Sequence, residues 1–338
     1  MAIESLRASS PEAAFTFLDE RIARRERAHW TWKYGLAADD GARAFYHAGA
    51  DGSVGGFIGL LPTALCTEGG EIPAAWFVDW ATGAGSVGAG VALLRHAQAR
   101  TTILLTLVGS ADTRQILPKL RWMCEERPGL WILRLTARAL AASGPVSRRP
   151  WLRLPVLAAA PLARLYFGVA DPGEDPFRLQ EIGRFPDAYD DVWAARRAEF
   201  APLMRRTSRD LNFMCTDFPE GGYRRYLVRE DDRLAGHLVL RTDRVRGLLR
   251  GRIVDTLWTR GRAGFAEWLV QRATWILQEA GADYIECTAS VPDLEQALAR
   301  CRFSRRRPVP IWYHRLPDDA PTPEGWFITF LDCDRAYR

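Results

Sequence analysis

The chain has no cysteine pair at C-x-x-C spacing. Its six cysteines, at positions 66, 124, 215, 287, 301 and 333, are scattered, which argues against a disulfide framework or a zinc knuckle and fits a reducing compartment. The five histidines are equally dispersed and form no H-E-x-x-H pair, so no metal ligand set can be read. No basic stretch followed by an apolar run stands at the beginning, and no secretory leader is expected. The most apolar segment, Trp151 to Val169, is interrupted by Pro155 and Pro161 and carries Arg153 and Arg164, too broken to span a bilayer. Net charge is +5, nearly all of the positive charge being arginine. No helix-turn-helix, zinc-finger or RNP-type pattern accompanies it, so nucleic acid is not an expected partner. A cytoplasmic protein without a membrane span is the expectation.

The 338 residues exceed one ordinary domain, and 48% apolar composition with 13 Trp and 15 Phe is ample for two cores. The two halves repeat each other. FYHAGADGSVGGFIGLLP, AAWFVDWATGAGSVGAGVALLRHAQA and ILLTLVGSADTRQILPKLRW are followed in the same order by YLVREDDRLAGHLVLRT, GRIVDTLWTRGRAGFAEWLVQRATWIL and YIECTASVPDLEQALARCRF. Asp79 and Asp255 stand 176 positions apart, as do Gly88 and Gly264; Ser110 and Ser290 stand 180 apart, as do Pro128 and Pro308. An offset this steady marks a duplication.

Each copy reads as β-β-β-loop-α-β-α-β. In the first, a helix over Pro11–His29 precedes a hairpin of 42–48 and Val54–Leu61, turning at Gly49-Ala50-Asp51-Gly52. A strand over Ala75–Ala81, a glycine-rich loop from Gly83 to Gly90 and a helix with Val91, Leu94 and Ala97 at helical spacing come next. A strand Ile103–Val108, a helix from about Asp112 to Leu120 capped by Ser110 or Asp112, and a final strand Leu130–Leu135 complete the copy. The expected division is a first module over 1–138, a linker over 139–178 that packs between the modules, and a second module over 179–338. The run Trp326 to Leu331 is expected to dock the tail as a strand or short helix.

Trp76 to Ala99 carries the chemistry. Glycines leading into a helix N-terminus let backbone N–H groups approach a phosphate. Three readings fit. Gly83-Ala84-Gly85-Ser86-Val87-Gly88 is a literal G-x-G-x-x-G, which would make the chain an NAD-dependent enzyme. Ala84 to Gly88 also imitates a nucleophile elbow around Ser86, with His237 or His314 as base. In the third, Gly88 and Gly90, with Gly264 and Ala266, occupy the last positions of the acyl-CoA loop Arg/Gln-x-x-Gly-x-Gly/Ala, while Gly85 and Gly261 stand at its first.

On these residues, with Val78-Asp79-Trp80-Ala81-Thr82 leading into the loop and Leu120-Arg121-Trp122 and Cys301-Arg302-Phe303 after the second helix, the chain resembles the GCN5-related N-acetyltransferase (GNAT) family. The resemblance implies an α/β (α+β) fold of two tandem modules, each a mixed, mostly antiparallel sheet flanked by helices. It implies an acyltransferase that takes acetyl or another acyl group from acyl-CoA to an amine, hydroxyl or amino-sugar acceptor held between the modules. The cofactor would lie on Val78, Trp80, Ala81, Gly85, Ser86, Val87, Gly88, Ala89, Gly90 and Asp112 of the first copy, with Asp79 as catalytic base or substrate anchor. The second copy, with Phe265 and Trp268 at its helix start, reads as degenerate. A non-catalytic acyl-CoA or nucleotide-binding protein stays open, because the loop lacks its Arg/Gln and the stretch Gln115-Ile116-Leu117 lacks a tyrosine acid. For Asp79 and Asp255 the competing expectation is a structural acid paired with arginine. For the segment His29 to Tyr34 it is core packing rather than an acceptor pocket.

Overall fold

The computed structural model describes the chain except residues 1, 8, 11, 37–42, 50, 84, 87, 144, 145, 147, 159–167, 175, 232, 315, 319 and 338. Apolar runs, buried over much of their length, fold into two mixed sheets. The first runs β1 (Ala2–Ser5), β2 (Ala44–Ala48), β3 (Val54–Thr67), β4 (Gly70–Thr82), β5 (Ile103–Leu107), β15 (Ile311–Tyr313) and β6 (Met123–Glu125), with β9 (Leu203–Met204) against β3. The second runs β14 (Ser304–Pro308), β7 (Gly129–Arg134), β13 (Tyr284–Ala289), β12 (Leu248–Leu257), β11 (Arg233–Val245), β10 (Tyr223–Glu230) and β8 (Phe177–Ile182). The β4–β5 and β12–β13 pairs are parallel; the other pairs are antiparallel, as the duplicated pattern predicts.

One expectation is corrected. The strand expected to close the first sheet, Leu130–Leu135, is β7, and it pairs with β13 and β14 of the second sheet. In return β15 pairs with β5 and β6 of the first. The chain crosses between the sheets at Pro128 and at Val309–Pro310, where prolines cannot continue a ladder. The two crossings touch, since the Val309 N–H donates to the Pro128 carbonyl at 2.7 Å. The expected boundary at 138 therefore assigns β7 by sequence to the first copy although its hydrogen bonds lie in the second sheet.

β4 presents alternate residues to two cores. Phe77 packs with Phe45, Leu93, Leu94 and Trp122 under α3 (Ala89–Gln98) and α4 (Ala111–Lys119). Trp76 and Val78 face a second cluster that runs on into the other copy through Tyr226, Leu238 and Trp258. The expected helix 11–29 is two helices, α1 (Glu12–Arg21) and α2 (Arg27–Lys33). The carboxylate of Asp19 holds the break, accepting from the Arg25 N–H and from Trp30 Nε1. Trp30 and Tyr34 are core residues, and Trp32 stacks on Phe213. The tail docks as expected, but neither as strand nor as helix: Trp326, Phe327 and Ile328 are fully buried, with a single bridge from Phe327 to Leu203.

Candidate functional site

β4 and β5 pair only over Ala74–Trp76 and Ile103–Leu105. Beyond this point the two strands separate. The gap opens into a cleft of about 840 Å³ bounded by Phe77–Thr82 of β4, Thr106–Ser110 at and beyond the end of β5, the first turns of α3 and α4, and Arg21, Arg307 and Asp334. The start of α3 faces it. Gly88 is the N-cap in the left-handed region (φ 84°) without a side-chain cap; the Ala89 N–H is taken by the Ser86 carbonyl, and the positive dipole end of the helix faces the cleft as a site for an anion. The second copy repeats this geometry at Gly264 (φ 76°). Gly90 is needed for a different reason: a Cβ there would lie 2.8 Å from Thr82 Cγ2, and Trp80 Nε1 donates to its carbonyl.

Of the residues expected to hold a cofactor, Val78, Trp80, Ala81, Ser86, Gly88, Gly90 and Asp112 line this cleft. Gly85 (φ 78°) shapes the turn and Ala89 is buried, and neither lines it. Val87 lies outside the described residues. Asp112 is exposed in the first turn of α4, whose cap is Ser110.

Asp79 also lines the cleft, and its partners are not the expected arginine. Opposite Ile58 of β3, β4 carries two residues, Asp79 and Trp80, in a bulge. Asp79 has φ 52°, uncommon for a residue with a Cβ. Its carboxylate accepts from Lys33 Nζ at 2.5 Å and from the Tyr34 hydroxyl, and Lys33 reaches Asp334 of the tail at 3.2 Å. Lys33, Asp79 and Asp334 are all buried. Tyr34 gets close because Gly59 has no side chain; a Cβ there would collide with its ring. The expected arginine partner is thus a lysine in the first copy.

In the second copy it is an arginine. Asp255 accepts from Arg206 Nε at 3.0 and 3.1 Å, His237 Nε2 lies 2.8 Å from it, and the Tyr189 hydroxyl meets the other imidazole nitrogen at 2.7 Å. Burial opposes the Asp255 anion, yet Arg206 and then His237 hold its carboxyl below the usual range. This set is sealed, His237 and Asp255 being at most 1% exposed. His314 sits beside Trp122 instead. Neither histidine hydrogen-bonds Ser86, so the nucleophile-elbow reading has no triad. The start of the second copy's helix is covered as well. Phe177 stacks on Phe265 at 4.1 Å, and Trp268 Nε1 donates to the Gly173 carbonyl. Arg260 and Arg262 are engaged with Asp293, Glu199 and Glu230.

A second, smaller cavity of about 260 Å³ lies where the copies meet, beside Leu61, Trp76, Met204 and Phe213; Cys333 lines both spaces. No helix among the described residues is long and apolar enough to cross a membrane, and no group of His, Cys, Asp and Glu among them fits a metal ion.

By sequence, no protein-family model matches the chain and no curated protein does. Solved structures do. A GCN5-related N-acetyltransferase from Anabaena variabilis ATCC 29413 superposes with TM-score 0.61 at 13% identity, over 92% of this chain and 72% of that one. A probable N-acyltransferase from Enterococcus faecalis V583 gives 0.61 at 8% identity over the same shares. Saccharomyces cerevisiae N-myristoyltransferase with bound myristoyl-CoA gives 0.60 at 10% identity, over 96% and 87%. The chain has the tandem GCN5-related N-acetyltransferase fold, two mixed sheets each flanked by helices.

Proposed function

We propose that this chain is an acyltransferase that binds acyl-CoA in the first copy's cleft and passes the acyl group to an amine or hydroxyl of an acceptor in the cavity between the copies. The observation that carries this reading is the separation of β4 and β5 beyond Trp76 and Leu105, which leaves a deep cleft facing the uncapped N-terminus of α3. The residues present suit the donor. The first turn of α3 offers N–H groups to a pyrophosphate. Arg21, Arg307 and Arg335 add positive charge that the loop, lacking its Arg/Gln, does not. Burial, reinforced by Arg307, pulls Arg335 down to about 10, the mark of a guanidinium to which an added anion is welcome. Two of these arginines come from β14 of the second sheet and from the tail, so the second copy's part of the chain contributes to the first copy's cleft. The second copy's helix start, closed by Phe177 and Trp268, takes no cofactor.

The bound thioester supplies an activated carbonyl. The acceptor nitrogen or oxygen attacks it, the new C–N or C–O bond forms as the C–S bond breaks, and CoA leaves as a thiolate that takes up a proton. A backbone N–H of β4 near its bulge would polarise the carbonyl. The proton lost by the acceptor enters the Asp79–Lys33–Asp334 network, which borders the cleft. Without a tyrosine at 115–117, the thiolate takes its proton from water. Acetyl and longer chains both remain donors under this reading, and cysteines scattered without C-x-x-C spacing accord with the cytoplasm as its location.

The second reading, a binding protein without turnover, draws on Asp79 already being paired with Lys33. An NAD enzyme is disfavoured, because the G-x-G-x-x-G match follows the fourth strand of a mixed sheet rather than the first strand of a parallel unit. Free thiol released from acetyl-, octanoyl- and myristoyl-CoA with a panel of amines, amino acids and amino sugars tests the proposal. Acceptor-dependent release supports it. Saturable acyl-CoA binding with no release for any acceptor selects the binding protein.

A further inference from the structure

The cavity between the copies has a charge pattern that the reaction does not require. One wall is apolar, with Trp76, Met204 and Phe213. The rest carries four arginines, Arg43, Arg205, Arg206 and Arg209, against two carboxylates, Asp210 and Asp332. Both carboxylates are already engaged. Arg205 grips Asp210 at 2.9 and 3.1 Å, and the fully buried Arg206 holds Asp332 at 2.7 Å besides Asp255. Arg209 is exposed and pairs with no carboxylate among the described residues. Arg206 is balanced by Asp255 and Asp332, and Arg205 by Asp210 with Glu71 3.8 Å away, so the cation that the space offers a ligand is Arg209, beside an aromatic surface and in a volume suited to a molecule of amino-acid size.

We propose that this cavity takes a small amine that carries a carboxylate. The apolar body lies on Trp76 and Phe213, the carboxylate meets the guanidinium of Arg209, and the amine points toward Cys333, where the cavity adjoins the donor cleft. Arginine suits the role because its planar fork matches a carboxylate with two parallel hydrogen bonds. The proposal rests on the acyltransferase reading and names the acceptor class for it.

The test is calorimetric titration of the full chain with matched pairs, each an amino acid and its primary amide: phenylalanine, leucine, tryptophan and γ-aminobutyrate. At least one acid is expected to bind about tenfold or more tightly than its amide. Arg209→Gln, an exposed and structurally undemanding change, should remove that preference while acetyl-CoA binding stays as in the parent. Arg209→Glu should reverse it. Amides binding as well as acids, no acid binding at all, or an unchanged preference in Arg209→Gln each overturns the proposal. Acetyl-CoA is titrated separately: its failure to bind overturns the acyltransferase reading, while the acid–amide comparison still judges the cavity by itself.

Discussion

Removing Lys33 strands two buried carboxylates, and the cost can be worked from the network. Lys33, Asp79 and Asp334 are buried, with Lys33 2.5 Å from Asp79 and 3.2 Å from Asp334. Breaking a buried ion pair from one side costs about 3–5 kcal/mol, because a charge is left without compensation. Lys33→Met should fall in that range. Asp79→Asn should cost less, about 2–3 kcal/mol, since Lys33 keeps Asp334 and the amide keeps the shape. In Lys33→Met/Asp79→Asn neither partner of the short bond is charged, so the double variant should lie about 2 kcal/mol nearer the parent than the two singles summed. At about 2.1 cal/mol/K per residue, the unfolding entropy of 338 residues is about 0.7 kcal/mol/K, and 3 kcal/mol moves Tm by about 4 °C. Urea unfolding of the four proteins, followed by tryptophan fluorescence, measures the coupling. Single effects that add within about 0.5 kcal/mol would refute the claim that Asp79 is held by Lys33.

Gly90→Ala should weaken acyl-CoA binding by about tenfold or more and destabilise the fold by about 1–3 kcal/mol, because the new methyl meets Thr82 2.8 Å away and forces α3 from β4; comparing its acyl-CoA titration with that of the parent checks this. Cys333→Phe, which places bulk where cleft and cavity adjoin, should abolish thiol release while acyl-CoA still binds, read by paired activity and binding assays. Stability should fall with pH below about 6.5 through His29. Burial, then Lys33, hold its imidazole below the ordinary value against the opposing pull of Glu220. The unfolded chain then binds the extra proton first, so this stability is full above about 6.5 and lost as pH drops toward the folded value. Tm measured from pH 7.5 to 5 should flatten in His29→Gln.

The duplication and the loop were legible because both are local patterns. The offset of 176 between Gly88 and Gly264 marks two helix starts with the same left-handed N-cap, and strands β2 to β5 follow the apolar runs, bounded by turn residues, that announce them. Partner choice was not legible. Leu130 to Leu135 is a short apolar run as a strand can be, but such a run does not name the neighbouring strand, and the crossing at Pro128 and Val309 was settled by contacts between distant segments. The same holds for Asp79. Its importance showed in the sequence as a carboxylate in an apolar strand, whereas Lys33, Tyr34 and Asp334 lie 46 positions before, 45 before and 255 after it, and no spacing rule joins them. For the segment His29 to Tyr34 the aromatics left acceptor pocket and core both open; Trp30 and Tyr34 are core, and nothing in the spacing pointed to its one lysine. Closure of the second copy was half visible: Phe265 and Trp268 crowd the helix start, but Phe177, which seals it, comes from what read as linker.

The central claim is that one copy holds the donor and the other has lost the means to. Calorimetric titration of the full chain with acetyl-, octanoyl- and myristoyl-CoA tests it directly. The account predicts one site per chain for at least one of these donors, weakened about tenfold or more by Gly90→Ala and unaffected by changes at the buried start of the second copy's helix. Two sites per chain, or none with any donor, would contradict it.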